Sequence, residues 1–183
     1  LDFIYDSPSD IKNTVLEPKL RKKVIQLLVR AYKKLPNGFK FKLSEGHRPL
    51  WYQIKNFNTI YKQLKKKYPN KKEKQIWEET TKYIADPNLC PPHTTGGAID
   101  ITIVGKNNKE LNMGTQLNSI DDASNTFSIK ISDQHKKNRE ILFYTLTSCG
   151  FVNLPTEWWH YSYGDQYWAI FHKKPHAIYG KIE

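Results

Sequence analysis

His93-Thr94-Thr95-Gly96-Gly97-Ala98-Ile99-Asp100-Ile101-Thr102-Ile103-Val104 is the stretch on which the fold turns. From Ala98 onward, Ile99, Ile101 and Ile103 alternate with Asp100 and Thr102, the period-two pattern of a strand with one apolar face. That pattern places Asp100 on the face opposite the isoleucines. His93 and Asp100 are seven positions apart, a spacing that would put them on opposite faces of one continuous strand. Residues 94–97 must therefore fold back, and the two glycines permit backbone angles closed to other residues. A turn followed by a strand makes this a sensible spacing for two ligands. Taken alone, the same pair also fits a solvent-exposed loop.

Downstream, Glu157-Trp158-Trp159-His160 follows Pro155. It supplies a second imidazole and, three residues before it, a second carboxylate. His160 lies in an aromatic strand, where Trp158 and Tyr161 can wall it from solvent. Read by itself, the segment fits a core histidine with a surface glutamate equally well. Joined to the first segment it completes a set: His93, Asp100 and His160 offer three ligands and leave a fourth position open, the composition of a catalytic zinc site. Glu157 is then placed to take a proton from a water and pass it to a leaving amine. Arg48, in the turn Glu45-Gly46-His47-Arg48-Pro49, is the third element. It is one of four arginines against 25 lysines, so guanidinium geometry is expected to matter there, as a binder of the oxyanion formed at a peptide carbonyl. An ordinary surface arginine is the alternative. His47, His135, His172 and His176 have no usable partner spacing.

The remaining pattern predicts helices and strands around these segments. Pro18 opens a helical stripe of Leu20, Val24, Leu27, Leu28 and Ala31 that ends near Pro36-Asn37-Gly38. Phe39, Phe41 and Leu43 alternate with lysines as a half-exposed strand. Ile54, Phe57, Ile60, Tyr61 and Leu64 recur at helical spacing, and a third helix is expected over 72–85. Asp133 is read as the cap of a long helix with Ile141, Leu142, Thr145, Leu146 and Cys149 on its stripe, closed by Gly150. Segments 158–163 and 167–172 are read as a hairpin around Gly164-Asp165. The expected class is α+β: a small antiparallel sheet flanked by helices, with the zinc site in a cleft on the sheet.

At 183 residues the chain is long enough for one core and short for two, so 1–183 is expected to be a single zinc peptidase domain. Hydrophobic residues at 38% exclude a disordered chain, and no apolar run reaches the roughly 18–20 residues of a membrane span. The net charge of +11 suits nucleic acid, an anionic membrane or an acidic wall polymer. No nucleic-acid-binding motif accompanies it, so no specific nucleic acid is expected. The densest basic cluster, Lys62, Lys65, Lys66, Lys67, Lys71, Lys72 and Lys74, reads as a solvated helix end. Cys90 and Cys149 are two thiols or one bridge. Their positions before the two ligand segments make a bridge geometrically possible if the strands that follow are neighbours, and two free thiols stay the alternative. The chain starts at Leu1 and shows no signal peptide; something is expected to have been removed before it, by a peptidase or by cloning, and a periplasmic or extracytoplasmic location is favoured, with a cytoplasmic one as the alternative.

The pattern His93-x6-Asp100 followed by Glu157-Trp158-Trp159-His160 resembles that of the VanX-type D-alanyl-D-alanine dipeptidases, zinc peptidases of hedgehog-like fold. Gly46-His47-Arg48-Pro49 is similar to the family's Gly-Tyr-Arg-Pro turn, Met113-Gly114-Thr115 to its Met-Gly-Thr stretch, and Tyr5-Asp6-Ser7 to its early Tyr-x-Thr segment. The resemblance implies one zinc per chain on His93, Asp100 and His160, Glu157 as general acid/base and Arg48 as transition-state stabiliser. It further implies a small D,D-dipeptide substrate near Asn118 and Tyr5. Three positions depart from the family: Pro91 stands for Ser, Asn118 for an Asp associated with the substrate ammonium, and Asp10-Ile11 for Asn-Phe. Three functions are therefore weighed. The first is hydrolysis of D-Ala-D-Ala. The second is a zinc D,D-carboxypeptidase or endopeptidase acting on murein peptides, which would make peptidoglycan fragments the partners. The third is a non-catalytic module that retains zinc, against which Glu157 and Arg48 argue, since a structural site needs neither.

Overall fold

The computed structural model describes residues 4–5 (backbone only), 19–119 and 121–182. The strand expected from the isoleucine alternation forms as β3, Ala98–Val104. It lies at the centre of a five-stranded sheet with β1 (Ile4–Tyr5), β2 (Lys40–Glu45), β4 (Val152–Asn153) and β5 (His160–Ser162), in the order β1-β2-β3-β5-β4. β1 runs parallel to β2, and the other pairings are antiparallel. Both faces of β3 are buried, so the polar alternation marks a cleft rather than open solvent.

The apolar face carries the core. Ile99, Ile101, Ile103, Phe41, Leu43 and Tyr161 meet α1 (Lys22–Tyr32) and α4 (Asp133–Thr147). α1 turns Val24, Leu27, Leu28 and Ala31 inward, the stripe expected from sequence. Pro18, expected to open that helix, lies outside the described residues, as do Asp6-Ser7 and Asp10-Ile11. α2 (Leu50–Lys67) and α3 (Glu73–Thr80) make a second small core, with the Phe57 and Trp77 rings 4.4 Å apart.

Three expectations need correction. On α2 the buried positions are Tyr52, Gln53, Phe57 and Leu64, and Ile54 is 41% exposed. The helix is rotated toward Gln53, whose amide is bonded at both ends, accepting from Arg48 and donating to the Ala85 carbonyl. Ser132 rather than Asp133 caps α4, its hydroxyl accepting the His135 N–H. Residues 167–172 are not the second arm of a hairpin. They lie in and just after a helix, α5 (Gln166–Phe171), capped by the Asp165 carboxylate at the Trp168 N–H, and β5 pairs with β3 and β4 instead. Of the two cysteine readings, the structure has two thiols: both cysteines are free, with Cys149 packed into the core and Cys90 in the loop ahead of the ligand turn.

That turn, Pro92–Thr95, is a 3-10 turn closed by Gly96 in the left-handed region at φ 67°. A Cβ on Gly97 would sit 2.7 Å from the Tyr163 carbonyl oxygen, and that strand contact is itself needed, since the Tyr163 N–H donates to the Gly97 carbonyl. Gly97→Ala should therefore cost about 1–3 kcal/mol, as overpacking against backbone does. Gly105→Ala, whose Cβ would meet its nearest neighbour at 3.4 Å, should stay within about 0.5 kcal/mol. Paired thermal or urea melts compare the two.

Candidate metal centre

Asp100 and His160 face each other directly across the β3–β5 pair, so their side chains leave the same face of the sheet. The ligand turn brings His93 to meet them. His93 Nε2 lies 3.2 Å from Asp100 Oδ1 and 3.1 Å from His160 Nδ1, and the Asp100–His160 edge is 3.0 Å. All three residues are buried.

The protons of this triangle decide what it can hold. His93 Nδ1 is 2.9 Å from the Gly46 carbonyl oxygen. A carbonyl only accepts, so Nδ1 carries the proton and Nε2 turns a lone pair toward the cluster. His160 directs Nδ1 the same way and Nε2 toward Ser162 Oγ at 3.4 Å. Two imidazole nitrogens and a carboxylate oxygen thus converge on one point, and something positive must lie among them. Tetrahedral zinc, with bonds of about 2.0–2.1 Å, has ligand–ligand edges of about 3.3–3.4 Å. The triangle is within a few tenths of an ångström of that size, and the residues fit zinc.

Backbone ties hold the ligands in register. The Arg48 N–H donates to the His93 carbonyl, answering the bond from His93 Nδ1 to Gly46, and the Arg21 and Ile182 N–H groups donate to Gly96 and Thr94. Arg21 Nε adds a bond to the Thr95 carbonyl. Pro91, one of the departures, is buried and its carbonyl accepts from both the amide and the hydroxyl of Thr94. On the other side, Asn153 Nδ2 donates to the carbonyls of Glu157 and His160, and its Oδ1 accepts from Thr126.

Glu157 Oε2 stands 3.9 Å from His160 Nδ1, too far for a direct hydrogen bond and close enough to share a water. Burial raises its pKa above the ordinary carboxylate value, with His160 opposing and Asp100 reinforcing the rise. Arg48 is held by two bonds to Glu45 and one from Nη1 to Gln53 Oε1. Burial works against its charge, but Glu45 outweighs burial and the pKa rises. Three of the five guanidinium N–H groups are used, which leaves two for a ligand.

Glu45, Gln53 and Asn153 were missed in the sequence. A carboxylate three residues before Arg48 was a usable signal for Glu45, whereas Gln53 and Asn153 carried none. Trp158 is buried and lies near Thr102, on the face of β3 that carries Asp100, whereas Tyr161, expected to wall the site, pairs with Ile99 and is buried in the apolar core on the opposite face. Asn118 lies in an exposed turn at φ 61°. The Tyr5 backbone belongs to β1, and its side chain lies outside the described residues.

A three-ligand buried triangle with a free carboxylate and a fixed guanidinium beside it is the architecture of a zinc hydrolase site. A family model described as D-ala-D-ala dipeptidase, among the M15 peptidases, matches residues 19–179, and the chain belongs to that family. It is similar to a D-alanyl-D-alanine dipeptidase of Synechocystis sp., 32% identical over 126 residues that make up 60% of this chain and 50% of that one. A second, from Escherichia coli, is 26% identical over 95 residues, 51% of this chain and 49% of the relative. The match thus spans about half the length of these relatives. The structure of VanYB in complex with D-Alanine-D-Alanine shares the fold, with a TM-score of 0.50 at 16% identity over 84% of this chain and 77% of that one.

Stripped of metal by a chelator, the triangle must hold a proton instead. Burial lowers the His93 pKa, but Asp100 and Glu45 outweigh it and hold it up at about 9, against 6.5 for a free imidazole. A raised folded-state pKa stabilises fully below the unfolded value and is lost as pH rises through the folded one. The melting temperature of chelated protein should therefore fall between pH 6.5 and 9, while zinc-loaded protein shows no such fall, because zinc binding strengthens as protons leave. Parallel melts at the two pH values check this, and His160→Ala should abolish stoichiometric zinc in metal analysis.

Proposed function

We propose that this chain is a zinc-dependent dipeptidase that hydrolyses D-Ala-D-Ala. The observation that carries the reading is the convergence of His93 Nε2, Asp100 Oδ1 and His160 Nδ1 within 3.2 Å of one another, with Glu157 beside them. Family membership supports the reaction class and the dipeptide. Zinc held by the three would acidify a water and polarise the scissile carbonyl.

The chain's own groups do the rest. Glu157 takes the proton of the attacking water and delivers it to the leaving amine. Burial, which disfavours its charged form, helps it to hold the proton between the two halves of that task. Arg48 aims its two remaining N–H groups at the oxygen that gains charge. Glu45 and Gln53 hold the guanidinium in place before substrate arrives, so little reorganisation is needed when charge develops. A lysine, with three N–H groups, could not donate that fork to Glu45 and still present two donors.

Glu157→Ala should keep zinc and fold and lose at least about a hundredfold in turnover, measured as D-alanine released from D-Ala-D-Ala by a metal-replete sample. Arg48→Lys should also fail to restore the full rate. Near-normal turnover in the Glu157 variant removes that residue from the mechanism. Cleavage of murein peptides with none of the free dipeptide moves the substrate to the wall polymer.

A further inference from the structure

Two of the three ligands sit on paired strands, so the β3–β5 ladder fixes Asp100 and His160. His93 does not: it lies on the turn Pro92–Thr95, and its aim depends on whatever holds that turn. Residues 19–21 bond to both segments that surround it. The Lys19 carbonyl accepts from the His47 amide, beside the Gly46 carbonyl that His93 Nδ1 meets, and the Arg21 amide donates to the Gly96 carbonyl. The Arg21 side chain adds more. Its Nε donates to the Thr95 carbonyl at 2.8 Å and Nη2 to the Gly180 carbonyl at 3.1 Å, and the guanidinium lies over the Tyr179 ring, 5.0 Å from its centre.

Residues 178–182 complete the brace. The Ile178 and Tyr179 amides both donate to the Gly164 carbonyl, and the Ile182 amide donates to Thr94. A Cβ on Gly96 would meet Ile182 Cδ1 at 2.9 Å, and one on Gly97 would meet Tyr179 Cδ2 at 3.3 Å, so this tail packs directly on the glycine pair. The consecutive carbonyls of Thr94, Thr95 and Gly96 are thus held by the Ile182 amide, Arg21 Nε and the Arg21 amide. Helix α1 gains nothing from this arginine. Arg21 is its N-cap, makes no side-chain cap bond, and no acidic residue follows in the first turn. Ser, Thr, Asp and Asn are preferred at that position because they accept from the free helical N–H groups, and a cation is disfavoured at the positive end of the helix dipole. The side chain serves the turn at the helix's expense.

We propose that Arg21 is a positioning residue for the metal ligand His93, acting through the backbone of the ligand turn with residues 179–182 as its brace. The assignment rests on zinc binding at the triangle and is independent of which substrate is cleaved. Losing the brace frees the one ligand that no strand fixes, so zinc affinity falls while the sheet and its apolar core stay in place.

Zinc Kd from chelator competition and the visible absorption of cobalt-loaded protein, which reports ligand number and geometry, test this apart from turnover. Arg21→Ser gives α1 a preferred cap, so the chelated variant should melt within about 4 °C of the wild type. Its zinc Kd should rise about tenfold, as when a metal ligand loses an outer partner. Ile182→Pro removes the N–H bonded to Thr94 and leaves Arg21 in place; it should weaken zinc in the same direction, and both variants should shift the cobalt spectrum. Ile76→Val, buried in the separate α2–α3 core, should lower the melting temperature while zinc Kd stays within twofold and the cobalt spectrum is unchanged. Should Arg21→Ser not fold, Ile182→Pro decides by the same readings. Unchanged zinc affinity, an unshifted cobalt spectrum, or equal weakening in Ile76→Val overturns the positioning role. Arg21-dependent zinc binding in a protein that never releases D-alanine supports it and sinks the hydrolytic reading alone.

Discussion

Two imidazole lone pairs and a carboxylate oxygen pressed to about 3 Å from one another are the constraint around which this protein is arranged. Left to themselves, such groups would separate or take up protons. Holding them together against that tendency requires the antiparallel β3–β5 register, the glycine-closed ligand turn, and bonds to that turn from three distant parts of the chain. The apolar side of the sheet supplies the driving force through the isoleucine face. Burying those side chains contributes on the order of 1.5–3 kcal/mol each, and the polar side exploits the rigidity that results.

Charges alternate around the triangle: Glu45, Arg48, Asp100 and the histidines, then Glu157. Buried ion pairs of this kind are weak contributors to stability, because desolvation offsets attraction. Their value here is directional. Glu45 pairs with Asp100 across the β2–β3 ladder, just past the bulge between Leu43 and Glu45, and from there its carboxylate holds the Arg48 guanidinium. The guanidinium is therefore oriented in advance, whereas a mobile cation would have to be ordered on each binding event.

The parts legible in the sequence were those encoded locally. β3 could be read from three alternating isoleucines, α1 from its stripe, and the ligand turn from an odd spacing beside two glycines. What escaped was settled by partners remote in sequence. Gln53 displaced Ile54 from the interior because Arg48 and the Ala85 carbonyl both needed an amide. Residues 167–172 looked like a strand by their aromatics, yet Asp165 capped them into a helix. That capping carboxylate was visible and was read as part of a turn. Asn153, which clamps the Glu157–His160 loop by two carbonyls, could only be found once β4 and β5 were seen side by side.

The amide of Ile182 donates to the carbonyl of Thr94, and Arg21 reaches both Thr95 and Gly180. A clasp made of residues 88 positions apart cannot close on a ribosome until its last member has emerged. His93 and Asp100 are synthesised long before His160, and the turn that aims His93 is secured later still. Assembly of the site thereby waits for residues 180–182: shorter stretches of the chain carry His93, Asp100 and His160 without the bonds that steady the turn aiming His93, and the cluster reaches its final geometry together with the fold.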